Sequence, residues 1–337
     1  MTIRSTSRLP HMTMGEWALL FVLSVLWGAA YLFGQVALAE LSPFTIVFAR
    51  VSLATIALIG VGLLAGRPFR MSWRTGAIYL ALGALGILLP SGLMLWSQAR
   101  IGIGLTSVLA ATSPLFTAMI AHLLVIDEKL TPSQLGGLSL ALVGVAIAMQ
   151  PAVHEFGDGM SAELAVLAAA LCQAYATVLA RRCKAIPPLD LATGQLAGAS
   201  LLSLPIMLVL ERPWMLPALS VETVSAILAL AFLSTALAYL IFFRLLVRAG
   251  ATNVALISFL VPVTALFLAG FVAGEDLSWR LFAGAALTLG GLMTLDGRAV
   301  ATARNACRST WHLLKRIDRK SEGLDTSQRP RETRRAP

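Results

Sequence analysis

One charged side chain lies well inside a long apolar stretch of the sequence. Arg50 follows Pro43 by seven residues, so a helix that begins at the proline would place it about 10 Å deep. Inside a membrane a charged residue is costly and normally faces the interior of a helix bundle. Arg50 is therefore a candidate ligand for the carboxylate or phosphate of a solute. The alternative is structural, with the side chain extending outward or binding carbonyl groups near Pro43.

Tyrosine, tryptophan and glutamine side chains recur at helical spacing in the same kind of stretch. Tyr31 and Gln35 share one face with Ser24 and Gly28, at spacings of four, three and four residues. We expect this face to line a cavity, together with four other residues in apolar stretches, Trp27, Gln173, Tyr175 and Tyr239. Packing between helices is the alternative for these positions.

Residue patterns that would support catalysis or metal binding are missing. His154 and Glu155 begin a zinc-protease pattern, but position 158 is an aspartate and the stretch is expected in a loop and not on a helix. Neither a nucleophile elbow nor a phosphate-binding glycine loop occurs. The three cysteines, Cys172, Cys183 and Cys307, lack the spacing of metal ligands. We expect no catalytic residue, no metal and no cofactor.

Acidic residues are absent from the middle of the apolar stretches. Glu16, Glu163 and Asp296 lie at the ends of these stretches, and the other acids lie in loops or in the tail. A carboxylate relay buried in the membrane is therefore not expected, and proton coupling is unsupported. This distribution disfavours a cationic solute and favours an anionic or zwitterionic one.

The composition indicates which kind of secondary structure positions these residues. Of the 337 residues, 58% are apolar and 13% are charged, which is typical of a membrane protein. The runs do not alternate as barrel strands would. We predict an all-α integral membrane protein with ten transmembrane helices, at about residues 17–39, 43–65, 75–96, 101–124, 132–149, 162–180, 189–210, 221–243, 251–273 and 279–296.

The positions of Lys and Arg predict the orientation. With a cytoplasmic N-terminus, residues 1–16, 22 basic residues fall on the inside and three, Arg100, Arg212 and Arg280, fall outside. Both termini are therefore expected in the cytoplasm. The net charge of +9 then reflects topology and not nucleic-acid binding. The basic tail, residues 298–337, is either disordered or lies on anionic lipid.

Two segments of the sequence repeat each other. The segments 102–106 and 250–253 begin the match, which continues from Pro114, Glu128, Gly137 and Gly144 to Pro262, Glu275, Gly284 and Gly291. The offset is 148 residues up to the prolines and 147 residues after them. The halves are 17–150 and 160–297. Each holds five helices, and an odd number of crossings inverts the second copy. We predict that Pro114 and Pro262 kink helices 4 and 9. We also predict that Glu128 and Glu275 cap helix ends and act as hinge residues.

These residues resemble the EamA type of the drug/metabolite transporter superfamily. The resemblance includes Trp27-Gly28, Pro43 with Arg50, and both copies of the repeat, and spans residues 15–297. Helix 6 lacks the Trp-Gly pair, and Gln195 stands about where the second repeat would have an arginine.

The resemblance implies a ten-helix secondary transporter that exports a small polar metabolite, such as an amino acid, across a bacterial inner membrane by alternating access. The expected partners are a small-molecule substrate and the lipid bilayer, with no nucleic acid. A homodimer is left open, and a channel or a membrane-embedded enzyme is the alternative function.

Overall fold

The fold is helical throughout the part of the chain that is described. The computed structural model describes residues 12–66, 69, 71–124, 130–149, 158–183, 185–212, 214 and 218–295. Within these ranges all regular secondary structure is helical, which confirms the all-α prediction. Glu128 and the tail, residues 298–337, lie outside the described residues.

Thirteen α-helices and three π-helical stretches make up the described chain. The first repeat contains α1 (Met14–Ala37), α2 (Pro43–Leu64), α3 (Trp73–Gly83), a π-helical stretch (Ala84–Leu88), α4 (Leu89–Ala110), α5 (Ser113–Leu124) and α6 (Pro132–Ala148). The second contains α7 (Asp158–Ala180), α8 (Pro188–Ile206), a π-helical stretch (Met207–Glu211), α9 (Val221–Leu228), a π-helical stretch (Ala229–Leu237), α10 (Ala238–Ala249), α11 (Ala251–Val254), α12 (Ile257–Phe271) and α13 (Trp279–Leu295).

Two glycines divide this series into the ten predicted crossings. The backbone of Gly102 (φ 76°, ψ 178°) breaks α4, and that of Gly250 (φ 82°, ψ 156°) separates α10 from α11. The two residues are equivalents in the repeat, and glycine adopts such positive φ values without a steric penalty. The third crossing therefore runs to 101 and not to 96, and the eighth runs to 249 and not to 243.

The ends of several helices are fixed by local capping. Thr13 with Glu16, Ser72 with Thr75, and Thr131 with Gln134 form reciprocal capping boxes. Each box satisfies backbone N–H groups that the first turn of a helix leaves free. These three boxes lie on one face of the bundle, which we call the proximal face. The opposite face, at residues 38–42, 211–212 and 272–278, is the distal face.

Glycines bring α6 and α13 into backbone contact. A Cβ placed on Gly144 would lie 2.7 Å from the Gly284 carbonyl oxygen, and one on Gly284 would lie 2.6 Å from the Gly144 carbonyl oxygen. Gly137 and Gly291 face each other in the same way. In the repeat, Gly137 is equivalent to Gly284 and Gly144 is equivalent to Gly291. Gly144 thus contacts the equivalent of Gly137, and Gly137 contacts the equivalent of Gly144. This reciprocity is what an inverted repeat produces.

The remaining contacts follow the same pseudo-twofold relation. Helix α1 packs on α12, and its counterpart α7 packs on α4 and α5. Helices α2 and α8, which are counterparts of each other, are in direct contact. The exterior carries many large apolar side chains, among them Ile56, Leu201 and Phe271. Such a surface requires lipid as its solvent, so the chain is a multi-pass integral membrane protein.

Gly144→Ala should destabilise the contact between α6 and α13. The new methyl would lie 2.5 Å from the Thr288 backbone nitrogen, and overpacking against backbone costs about 1–3 kcal/mol. The check is thermal unfolding of the purified protein in detergent. The control is Gly136→Ala on the same helix, because a Cβ there would meet nothing within 4 Å. Equal stability of the two variants would contradict the glycine contact.

Candidate functional site

Arg50 reaches across the two repeats from the third turn of α2. Its Nε donates a hydrogen bond to Thr235 Oγ1 at 2.9 Å. The Thr235 hydroxyl in turn donates to the Leu230 carbonyl oxygen at 2.7 Å, five residues earlier in the chain. A spacing of five belongs to the π-helical stretch that contains both residues. The irregular backbone therefore orients the threonine that holds the guanidinium.

Two tyrosines complete this arrangement. Tyr31 on α1 and Tyr239 on α10 both lie close enough to Arg50 to interact with its charge. Gln195 on α8 lies 3.5 Å from the Tyr239 hydroxyl through its Nε2. We call Arg50, Tyr31, Gln195, Thr235 and Tyr239 the Arg50 cluster. Its members come from four crossings and from both repeats.

The Arg50 guanidinium has spare hydrogen-bonding capacity. Within the described ranges its hydrogen bond uses Nε, and no carboxylate pairs with it. Its side chain reaches between helices of both repeats and retains accessible surface, so a small solute could contact it. A planar guanidinium with two free terminal nitrogens can bind a carboxylate in a bidentate manner.

A second polar group lies next to the cluster. Gln98 on α4 is 2% exposed, and its Nε2 donates to the Tyr31 carbonyl oxygen at 2.7 Å and to Gln35 Oε1 at 3.0 Å. The expected site residues Tyr31 and Gln35 are thus tied to a residue that sequence analysis missed. The available signal was a glutamine close to the end of an apolar run.

Three other expected residues lie elsewhere. The Trp27 ring packs against Phe242 with ring centroids 5.7 Å apart, in an apolar cluster of α1, α10 and α12. Tyr175 is 46% exposed, because the packing of α7 on α4 and α5 turns this position outward. Gln173 is partly buried on α7, and no hydrogen bond among the described residues joins it to the Arg50 cluster.

Carboxylates from one repeat cap helices of the other at the distal face. Glu211, at the end of α8 and its π-helical stretch, accepts hydrogen bonds from the backbone nitrogens of Phe44 at 2.9 Å and Thr45 at 2.5 Å. It also accepts from Thr45 Oγ1 at 2.6 Å. Glu40 accepts from the backbone nitrogen of Ser220, the residue that precedes α9, at 2.9 Å. The positive end of each helix favours such a carboxylate.

Glu275 makes a third contact of this kind. Its carboxylate accepts from the backbone nitrogens of Ile103 at 2.6 Å and Gly104 at 2.9 Å, directly after the break at Gly102. The residue therefore caps a crossing in the other repeat. We call Glu40, Glu211 and Glu275 the distal carboxylates. The equivalent Glu128 lies outside the described residues.

The two prolines expected to kink helices occupy different positions in them. Pro114 is the second residue of α5, after a break at residues 111–112, and proline fits the first turn of a helix. Pro262 lies inside α12. Prolines at matched sequence positions are therefore not structurally equivalent.

A comparison with models of protein families identifies the family of this chain. The model of the EamA-like transporter family matches residues 15–150 and again 160–295. The chain belongs to the EamA-like transporter family. It is therefore a membrane transporter of the drug/metabolite transporter superfamily, as the sequence predicted, and not an enzyme.

Individual relatives of this EamA-like transporter are also named as transport proteins. A probable amino-acid metabolite efflux pump of Salmonella typhimurium is 30% identical over 56% of this chain and 66% of its own. A probable terminal-alkyne amino-acid exporter of Streptantibioticus cattleyicolor is 26% identical over 86% of this chain and 96% of its own. A crystal structure with 18% identity covers 88% of this chain and 99% of its own, with a TM-score of 0.60, and supports the fold.

Glu275→Ala should lower the free energy of unfolding of this EamA-like transporter by about 2 kcal/mol, because two backbone N–H groups lose a charged acceptor. Glu275→Gln should lose about half as much. Thermal unfolding in detergent gives the comparison, with Glu222→Ala, an exposed acid in the first turn of α9, as the control. A loss no larger than that of the control would contradict the capping role.

Glu40 should make the stability of the folded protein depend on pH in the acidic range. The hydroxyl and the backbone N–H of Ser220 lower the pKa of Glu40 from 4.5. Its contribution is complete above pH 4.5 and disappears as the pH falls through the lower pKa of the folded state. Unfolding temperatures measured from neutral pH to about pH 3 should fall more for the wild type than for Glu40→Gln. Parallel curves would show that this contact has no effect.

Proposed function

We propose that this protein is a secondary transporter that exports an amino acid or a related anionic or zwitterionic solute. The observation that supports this proposal is the Arg50 guanidinium, which lies between the repeats, keeps accessible surface and has no carboxylate partner in the described part of the chain. A solute carboxylate would supply the missing negative charge. Export is the direction named for the two amino-acid relatives.

Recognition in this proposal divides between charge and hydrogen bonds. The two terminal nitrogens of Arg50 bind the carboxylate, while Thr235 holds Nε and fixes the plane of the guanidinium. The Tyr31 and Tyr239 hydroxyls act as donors or acceptors, and their rings can also face an ammonium group. Gln195 positions Tyr239. A solute with adjacent carboxylate and amino groups would engage all of these groups.

Transport proceeds by alternating access in this proposal. The distal carboxylates join one repeat to helix ends of the other, so this conformation is closed at the distal face. Opening that face requires Glu211 and Glu275 to release the backbone of α2 and α4. The positive-φ bends at Gly102 and Gly250 are candidate hinges. The close glycine contact between α6 and α13 would stay in place while the other crossings rock.

The orientation in the membrane is part of the same proposal. The excess of Lys and Arg on the proximal side favours a proximal face in the cytoplasm. Both termini are then cytoplasmic, the distal face is external, and the membrane is a bacterial inner membrane. The solute and the bilayer are the partners that this arrangement needs.

Arg50→Ala should reduce counterflow in proteoliposomes at least about tenfold, because a charged hydrogen bond contributes about 1.5–3 kcal/mol. Arg50→Lys should give an intermediate rate, since it keeps the charge and loses the planar fork. The assay preloads vesicles with unlabelled amino acids and follows one labelled amino acid at a time. Arg100→Ala is the matched control, because Arg100 is exposed and stacks on Trp96.

Two outcomes of this assay would contradict the proposal. Unchanged counterflow in Arg50→Ala protein that reaches the membrane would remove Arg50 from the site. Rapid equilibration without transient accumulation would favour a channel, because a carrier exchanges internal for labelled solute and a channel does not.

A further inference from the structure

A buried carboxyl group lies apart from the Arg50 cluster. Glu163 on α7 is 5% exposed, and its Oε2 has no hydrogen-bond partner among the described residues. From its sequence position this acid was expected at the end of an apolar run. The structure places the side chain inside the bundle, so its charge state needs another explanation.

Glu163 lies near an apolar cluster along α7. It shares a helical face with Val166 and Leu167, three and four residues later. Those two side chains pack with Ile101, Leu105 and Leu109 of α4. Glu163 therefore lies about one turn from this cluster, on its distal side.

Within the described ranges the Glu163 Oε2 atom is buried without a hydrogen-bond partner, and no ion pair joins the side chain to a charged group. The charged and titratable side chains on the helices packed against α7 are Arg74 and Tyr79 of α3, Arg100 of α4 and His122 of α5. Arg100 is engaged by Trp96, through a hydrogen bond to the carbonyl oxygen and through the ring. The His122 Nδ1 accepts from Leu130.

An unpaired buried carboxylate is unstable by several kcal/mol, so such a group is stable as the neutral acid. The fold itself does not require an acid at this position. The repeat equivalent of Glu163, at the offset of 144 residues that relates α1 to α7, is Leu19. Leu19 packs in an apolar cluster. Glu163 thus carries an energetic penalty that a leucine in the same helix position avoids.

We propose that Glu163 is a proton-binding site, occupied in this conformation, and that the proton is released when the distal face opens. Glu163 lies five residues from the start of α7, about 7 to 8 Å along the helix from the distal face. The proton moves between the Glu163 carboxylate and water, so no other reactant is required. The first half of this inference stands alone, and the coupling to opening rests on the proposed function.

The coupling follows from the different stability of the two charge states. The neutral acid is stable in the closed conformation, and the carboxylate is stable where water reaches it. Protonation therefore shifts the equilibrium toward the closed distal face, and deprotonation shifts it toward opening. A proton bound from the distal side would thus link the transport cycle to the pH on that side.

The proton site can be tested without a substrate. Full-length wild type and Glu163→Gln are compared by thermal unfolding in detergent as the pH rises from about 5 to 9. Because glutamine imitates the neutral acid, the variant should match the wild type at low pH and exceed it at high pH by about 2–4 °C. Glu16→Gln, near the start of α1, is the control and should show no such widening. A Glu163→Gln protein that is equally or less stable at every pH would overturn the site.

The coupling is tested by counterflow of a labelled amino acid at several distal pH values. Wild type and Glu16→Gln should respond to this pH, and Glu163→Gln should lose the response. An unchanged response in Glu163→Gln would overturn the coupling and leave the proton site to the unfolding data. If the wild type shows no counterflow, the transporter proposal and the coupling fail together, and the unfolding data still decide the proton site.

Discussion

Lipid offers no hydrogen bonds to a polypeptide backbone, and this constraint governs the architecture. Helices satisfy their own interior groups, but each helix end and each break leaves N–H groups free. The break at Gly102 exposes the nitrogens of Ile103 and Gly104, and Glu275 accepts both. Glu211 does the same for the start of α2. The acceptors come from the opposite repeat, so satisfying the backbone also holds the two halves together.

The two repeats remain symmetric where their backbones are in contact, and they differ in the side chains of the Arg50 cluster. The glycines of α6 and α13 form reciprocal contacts, and Gly102 and Gly250 adopt similar positive φ values. By contrast, Arg50 corresponds to Gln195, and Tyr31 corresponds to the half-exposed Tyr175. Backbone packing tolerates little change, because a single methyl would collide with a carbonyl oxygen. A site for an asymmetric solute needs different groups on its two sides.

Two ionisable groups inside the bundle, Arg50 and Glu163, are stabilised in different ways. Arg50 is held by Thr235 between the repeats and keeps accessible surface, where an anion can pair with it. Glu163 Oε2 has no hydrogen-bond partner among the residues that the structure describes, and burial favours the neutral form of its carboxyl. The first arrangement suits recognition of a solute. The second suits binding of a proton.

The sequence by itself determined the class of the protein, because composition, run length and the repeat depend on local order alone. Ten crossings, the two repeats and the matched glycines of α6 and α13 could be predicted from residue type and spacing. The tertiary structure decided which side chains meet. Helix rotation turns Tyr175 outward and buries Gln98, and cross-repeat packing brings Glu275 to Ile103 over 172 residues of sequence. It also buries Glu163, because burial depends on neighbouring helices whose rotation the spacing within one helix does not determine.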